Sequence, residues 1–128
     1  MRNVVVRLLM ALVCLVGCGG DSTGTETPAE AVREIIRLYE ARDFESLVRT
    51  RYAELSKAES EQQVHALIDR FQERYRDEAT LNQATLRYRS LLEMTPEITN
   101  DGNTATFNLG EGFVKLTRMP NGMWGFHL

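Results

Sequence analysis

Residues 100–128 read NDGNTATFNLGEGFVKLTRMPNGMWGFHL, a series of short apolar runs separated by turns. The turns at 100–103, 110–112 and 120–122 contain Asp-Gly, paired glycines or Asn-Gly, which tolerate the positive φ angles of hairpins. Between the turns, apolar residues alternate with polar ones, so each strand has one core face. The core-facing residues are Ala105, Phe107, Leu109, Val114, Leu116, Trp124, Phe126 and Leu128. This pattern predicts an antiparallel β-meander of about four strands.

Upstream of the meander, three stretches predict helices. Residues 27–30 form a capping box, with proline in the first helical position. Asp43 can cap a second, short helix, and Ser60 with Gln63 forms another capping box. Behind these caps, apolar residues recur at helical spacing, and we expect them to form core stripes. They are Val32, Ile35, Ile36 and Tyr39, then Phe44, Leu47, Val48 and Leu55, then Val64, Leu67, Ile68, Phe71 and Tyr75.

The segment 81–94 is compatible with two secondary structures. As a helix it places Leu81, Ala84, Thr85, Tyr88, Leu91 and Leu92 on one face. As a strand it would align Leu86, Tyr88, Leu92 and Met94, but Ser90 interrupts that set and β-branched residues are scarce. We favour the helix. The sequence then predicts one α+β domain over residues 28–128, with N-terminal helices packed on the C-terminal meander.

The N-terminus has the layout of a secretory signal peptide. Arg2 and Arg7 precede an uncharged run over residues 8–17, which is too short to span a bilayer as a helix. The run ends in Leu15-Val16-Gly17-Cys18, which resembles a bacterial lipobox. This resemblance implies a signal peptide over residues 1–17, cleavage after Gly17 and acylation of Cys18. The attached acyl chains would then hold the protein at a lipid bilayer.

The residues after the lipobox predict a tethered domain without thiols. Cys14 would leave with the signal peptide and Cys18 would be a thioether, so neither disulfides nor thiolate metal sites are expected. Residues 19–26 hold three glycines and no apolar side chain, so we assign 18–27 to the lipidated cysteine and a flexible tether. In bacterial lipoproteins, an aspartate directly after the lipidated cysteine signals retention in the inner membrane. This chain has Gly19 at that position, so the resemblance implies sorting to the outer membrane where the organism has one. We therefore expect the domain on the exported face of a bacterial cell envelope.

The charge of the mature chain argues against nucleic acid as a partner. The chain has 15 basic and 18 acidic residues, and Arg2 and Arg7 belong to the signal peptide. The remaining 13 basic residues face 18 acids, which gives a net charge near −5. A weakly acidic surface has no electrostatic attraction for polyanions.

The chain as a whole resembles small bacterial lipoproteins with a cystatin-like or nuclear-transport-factor-2-like α+β domain. The resemblance covers roughly residues 28–128 and rests on the helical start, the Asp-Gly turn with its following strand, and the closing hairpin. In that pattern a tryptophan follows an Asn-Gly turn in the final strand, as Trp124 follows Asn121 and Gly122 here. The family's usual fold is cone-shaped, and a long curved strand lines its interior. A helix at residues 81–93 would depart from that pattern.

No motif for catalysis, for a cofactor or for a metal ion is recognisable. His65 and His127 are predicted on the surface, and neither has metal-ligand spacing to an acid. Five arginines alternate with acids over residues 69–89, which predicts solvated ion pairs rather than an anion site; they are Arg70, Arg74, Arg76, Arg87 and Arg89. The candidate pocket or core aromatics are Tyr39, Tyr75, Tyr88 and Trp124.

Two classes of function follow from these features. The first is a non-catalytic envelope lipoprotein whose domain contacts another protein or a small ligand. The alternative is a small pocket enzyme of the isomerase or dehydratase type, which the fold resemblance implies. Such an enzyme needs an ionisable group buried beside a cavity to shift its pKa. Because the acids fall outside the predicted core stripes, we favour the binding domain.

Overall fold

A computed structural model describes residues 26–128 and confirms the α+β architecture, with four helices followed by a four-stranded antiparallel sheet. The predicted signal peptide, Cys18 and residues 19–25 of the predicted tether lie outside the described residues. The helices are α1 (Pro28–Glu40), α2 (Phe44–Arg51), α3 (Glu61–Arg74) and α4 (Glu78–Leu91), with a single 3₁₀ turn at Leu55–Lys57. The strands are β1 (Glu97–Thr99), β2 (Thr104–Asn108), β3 (Phe113–Arg118) and β4 (Trp124–Phe126).

The helix starts follow the capping residues that the sequence predicts. Thr27 Oγ1 accepts a hydrogen bond from the Glu30 N–H at 3.2 Å. The Thr27 hydroxyl, rather than the Thr27 backbone N–H of a complete capping box, donates to the Glu30 carboxylate at 3.1 Å. Asp43 and Ser60 accept equivalent bonds from backbone N–H groups at the starts of α2 and α3. Each cap satisfies a backbone donor that the first helical turn leaves unpaired.

The segment 81–94 is mainly helical, and α4 packs along α1. Leu81, Tyr88 and Leu91 are buried, whereas Leu86, which the strand alternative would have placed on the core face, is 63% exposed. Leu92, the C-cap residue of α4, is in contrast 37% exposed although the helical pattern places it on the core face. The helix itself begins at Glu78, where Asp77 caps it through the Thr80 N–H.

The second helix ends earlier than its apolar stripe suggests. α2 stops at Arg51, and Tyr52 takes an extended conformation. Tyr52 then forms a parallel bridge with Phe126, and the Ala53 N–H donates to the Phe126 carbonyl at 2.9 Å. Leu55 therefore lies in the 3₁₀ turn, partly buried, rather than in α2.

The sheet is a simple meander with neighbouring strands in chain order, β1-β2-β3-β4. The β1–β2 turn uses positive φ at Asn100, Asp101 and Gly102, as its Asp-Gly sequence predicts. The inner face of the sheet contributes Phe107, Leu116, Trp124 and Phe126 to the core. Leu128 is an exception to the predicted alternation, since it is 70% exposed beyond the end of β4.

The core lies between this sheet face and helices α1 to α4. Ile35 and Leu38 of α1 and Leu47 of α2 are fully buried against it. No helix within residues 26–128 is both long enough and apolar enough to cross a membrane.

Candidate functional site

A groove of about 820 Å³ lies between the helices and one end of the sheet. The C-terminal end of α3, the exposed edge of α4 and strands β3 and β4 supply its walls. The apolar part of its lining consists mainly of Tyr39, Tyr75, Ala84, Tyr88, Val114 and Phe126. The groove thus forms where the meander and α4 diverge, and local sequence does not reveal it.

Three of the four candidate aromatics meet in this groove. Tyr39 contacts Tyr75 edge to face, with 5.1 Å between ring centroids, and Tyr88 at 5.7 Å. All three rings are at least nine-tenths buried, and all three residues line the groove. Trp124, the fourth candidate, is fully buried and is not among the lining residues. We call Tyr39, Tyr75 and Tyr88 the tyrosine floor.

The environment of Tyr39 and Tyr88 keeps their two hydroxyls neutral. Burial, the neighbouring Tyr88 and a hydrogen bond with Tyr75 raise the pKa of Tyr39 far above its ordinary value. Burial, followed by the influence of Tyr75, likewise raises the pKa of Tyr88. Neutral phenols are hydrogen-bond donors, and the groove that these residues line also contains polar side chains such as Thr80 and Gln83.

Cationic side chains from three elements surround the floor. Arg74 at the end of α3, Arg87 on α4 and Lys115 on β3 line the groove. None of the ion pairs within residues 26–128 includes any of them. The guanidinium carbon of Arg74 lies 5.7 Å from the ring centroid of Tyr75, consistent with a cation–π contact. We call Arg74, Arg87 and Lys115 the cationic rim.

The prediction that the arginines of residues 69–89 form local ion pairs is therefore only partly right. Arg76 pairs with Glu73 at 2.9 Å, three residues earlier on the chain. Arg89 pairs with Glu40 of α1 instead of with an acid of its own segment. Arg74 and Arg87 project toward the groove, because the helical phase that buries Tyr88 also turns Arg87 toward the gap beside the sheet.

His127 lines the same groove and is not the free surface residue that its strand parity predicts. Its ring is 26% exposed. Nε2 lies 2.6 Å from Thr117 Oγ1, and Nδ1 lies 3.4 Å from Glu54 Oε1. Because core-facing and outward-facing residues alternate along the final strand, His127 is correctly predicted to point away from the core. The segment after α2, which includes Glu54, covers that face of β4, so the His127 ring is only partly exposed. His65, by contrast, is exposed as predicted.

The order carboxylate, imidazole and hydroxyl resembles the connectivity of a nucleophilic triad. Thr117 is not among the residues that line the groove, so a molecule held there would not meet its hydroxyl. The acidic side chain lining the groove is Glu111, which lies in the exposed turn between β2 and β3. The described lining thus contains three cationic side chains and one exposed carboxylate, but no buried carboxylate.

A second polar feature, buried within the domain, is an ion pair that sequence analysis missed. The Arg51 guanidinium is 3% exposed and makes two bonds to the Glu26 carboxylate, Nη1–Oε1 at 2.6 Å and Nη2–Oε2 at 2.8 Å. The Trp124 backbone N–H donates to Glu26 Oε1 at 3.0 Å, and the indole N–H donates to the Glu26 carbonyl at 2.8 Å. We call Glu26, Arg51 and Trp124 the clasp.

The clasp extends the domain toward the N-terminus. We assigned Glu26 to the tether, whereas the structure packs it against β4. Burial raises the pKa of Glu26, but the hydrogen bonds from Arg51 and Trp124 and the charge of Arg51 outweigh it, so the pKa is lowered overall. One signal was available in the sequence, since Arg51 lies four residues after Leu47 on the apolar stripe of α2 and a buried cation needs a partner.

Residues 26–128 contain no cluster of histidine, cysteine or acidic side chains placed to hold a metal ion. Comparison with protein families, with curated proteins and with solved structures found no match to this chain.

Proposed function

We propose that this protein is a lipid-anchored, non-catalytic binding domain of the bacterial cell envelope, and that its groove binds a small molecule. The basic and apolar N-terminus and the lipobox ending in Cys18 support the anchor. With Glu26 held in the clasp, the predicted tether comprises residues 19–25. A flexible chain of that length reaches about 15 Å, so the domain would stay near the membrane surface.

The groove is the observation that carries the binding proposal. Its volume of about 820 Å³ lies within the range of small-molecule sites, about 300–1,000 Å³. An aromatic floor with a few directed donors is typical of such sites, because the apolar surface supplies affinity and the polar groups orient the ligand. The tyrosine floor provides both.

The isomerase or dehydratase alternative receives less support from the groove. That chemistry needs a base beside the substrate, placed within reach of the proton that it removes. Within the described lining, the raised pKa values of Tyr39 and Tyr88 keep these two hydroxyls protonated, and Glu111 is exposed. His127 is the remaining candidate base, and its two ring nitrogens already face Thr117 and Glu54.

A substitution that fills the groove tests the proposal. Ala84 lines the groove and is half-buried, so Ala84→Phe would occupy the space above the tyrosine floor. Leu86→Phe is the matched control, because Leu86 lies on the same helix, is 63% exposed and does not line the groove. Binding of the neutral probe 4-phenylbutanol can be followed by saturation-transfer NMR on the full chain in phosphatidylcholine nanodiscs, with empty nanodiscs as the blank. We expect binding by the wild type and by Leu86→Phe, and its loss in Ala84→Phe. Equal signals from all three proteins would contradict a ligand site in the groove.

A further inference from the structure

We propose that the ligand of the groove is an organic acid, with an apolar aromatic or alkyl body on the tyrosine floor and a single negative charge at the cationic rim. This inference rests on the proposed small-molecule site and names its chemical class. It comes from the position of unpaired charge in the groove rather than from the groove's size.

The charge of the groove is opposite to that of the chain. The mature chain is acidic overall, with 13 basic residues against 18 acids after the predicted signal peptide. Three cationic side chains line the groove, whereas the acidic side chain among its described lining residues is Glu111 alone. A concave surface with one predominant sign of charge raises the local concentration of ligands of the opposite sign.

The cations of the rim are also free to bind. Five other arginines within residues 26–128 form ion pairs, among them Arg37 with Glu34 and Arg89 with Glu40. Arg74, Arg87 and Lys115 have no carboxylate partner within residues 26–128, although their three separate elements bring them to one opening. A guanidinium with unused donors is suited to bind a carboxylate through two parallel hydrogen bonds.

The positive charge extends to the floor itself. Arg74 acts on the Tyr39 hydroxyl and Arg87 on the Tyr88 hydroxyl, in each case favouring the phenolate against the larger opposing effect of burial. The Tyr88 hydroxyl nevertheless stays neutral and can donate to an anion, whereas the Tyr39 hydroxyl already shares a hydrogen bond with Tyr75. A carboxylate near the rim would therefore meet guanidinium and phenol donors together, with its apolar body over the buried rings.

Three probes that share one body and differ in head group test this inference. They are 4-phenylbutyrate, 4-phenylbutanol and 4-phenylbutylammonium, titrated against the full chain in phosphatidylcholine nanodiscs at low salt. We expect the acid to bind about fivefold more tightly than the alcohol, which corresponds to about 1 kcal/mol, the upper end of what one exposed ion pair supplies. The ammonium should bind most weakly. Inorganic phosphate, which lacks an apolar body, should not displace the acid at comparable concentration.

Variants of the rim identify the groups responsible. In the double variant Arg74→Gln/Arg87→Gln, Lys115 is the remaining cation of the rim, and the preference for the acid over the alcohol should fall well below that of the wild type. Arg33→Gln is the matched control, because Arg33 is an exposed arginine of α1 that does not line the groove, and it should retain the preference. Both altered positions are exposed, and the fluorescence of Trp124 reports whether each variant remains folded.

The outcomes separate the two proposals. Binding of the alcohol at least as tightly as the acid would overturn the charge preference and leave the small-molecule site supported. Displacement by phosphate alone would also overturn it, because charge would then suffice. An acid preference in the double variant as large as that of the wild type would refute the assignment to the rim. Absence of binding by all three probes would overturn the small-molecule site itself.

Discussion

Replacing Glu26 by glutamine isolates the electrostatic part of the clasp, because glutamine keeps the size of the side chain and removes its charge. The Arg51 guanidinium would stay buried at 3% exposure without a counter-ion. Its Nε atom already has no hydrogen-bond partner within the described residues. The amide of glutamine offers one oxygen where the carboxylate offers two, so it also places a donor against an Arg51 donor.

The size of the effect follows from these contacts. Breaking a fully buried ion pair by removing one partner costs about 3–5 kcal/mol. The Glu26 side chain is 18% exposed, so water compensates for part of this loss. We therefore expect Glu26→Gln to lower the free energy of unfolding by about 3 kcal/mol, which corresponds to a fall in Tm of roughly 12 °C for a domain of about 100 residues.

Urea denaturation at neutral pH measures the loss, with the fluorescence of Trp124, the one tryptophan of the chain, as the readout. Glu93→Gln serves as the control, since Glu93 is exposed and forms no ion pair within residues 26–128, and it should change the stability by less than about 0.5 kcal/mol. A double-mutant cycle with Arg51→Met measures the coupling of the two side chains.

The effect should also depend on pH. The folded-state pKa of Glu26 is lowered from its ordinary value of 4.5, so its stabilising contribution is complete above that pH. It is lost as the pH falls through the lowered pKa, where the wild-type carboxyl is protonated and resembles glutamine. The difference between wild type and variant should therefore be largest at neutral pH and shrink below about pH 4.5. A loss under 1 kcal/mol at neutral pH, or a difference that does not change with pH, would refute the role assigned to the clasp.

Three further outcomes are expected. Intact-mass analysis should find a mature chain that begins at Cys18 and carries acyl groups, and Cys18→Ser should abolish this modification; an unmodified wild type would contradict the anchor. Trp124→Ala should cost about 3–5 kcal/mol in urea denaturation followed by circular dichroism, and a loss under 1 kcal/mol would argue against its place in the core. Gly125→Ala should lower the free energy of unfolding, measured by urea denaturation, by about 1–3 kcal/mol, because the new Cβ would lie 2.7 Å from Met119 Sδ and 2.9 Å from the Arg51 carbonyl oxygen. The control Gly112→Ala should have little effect, because its Cβ would meet nothing within 4 Å.

Local sequence was sufficient for the elements whose determinants lie within one turn or one strand. Thr27, Asp43 and Ser60 each bond a backbone N–H three residues ahead, so the helix starts could be read directly from the chain. The meander was equally predictable, because the Asp-Gly turn adopts positive φ whatever its surroundings. Where two periodicities competed, at residues 81–94, burial against α1 selects the helix and leaves Leu86 exposed.

Features that join distant parts of the chain required the tertiary structure. Glu26 and Trp124 of the clasp are 98 residues apart, and nothing near Glu26 marks it as a partner for a buried arginine. The groove likewise combines the tyrosine floor with a cationic rim from α3, α4 and β3. For Arg74 and Arg87 of the rim, the sequence predicted ion pairs, because acids lie close to them along the chain. The groove that these two side chains line is formed by packing between α4 and the sheet, so the sequence could not show it. Secondary structure here is governed by neighbours along the chain, whereas the sites arise from packing between elements that the sequence alone does not place.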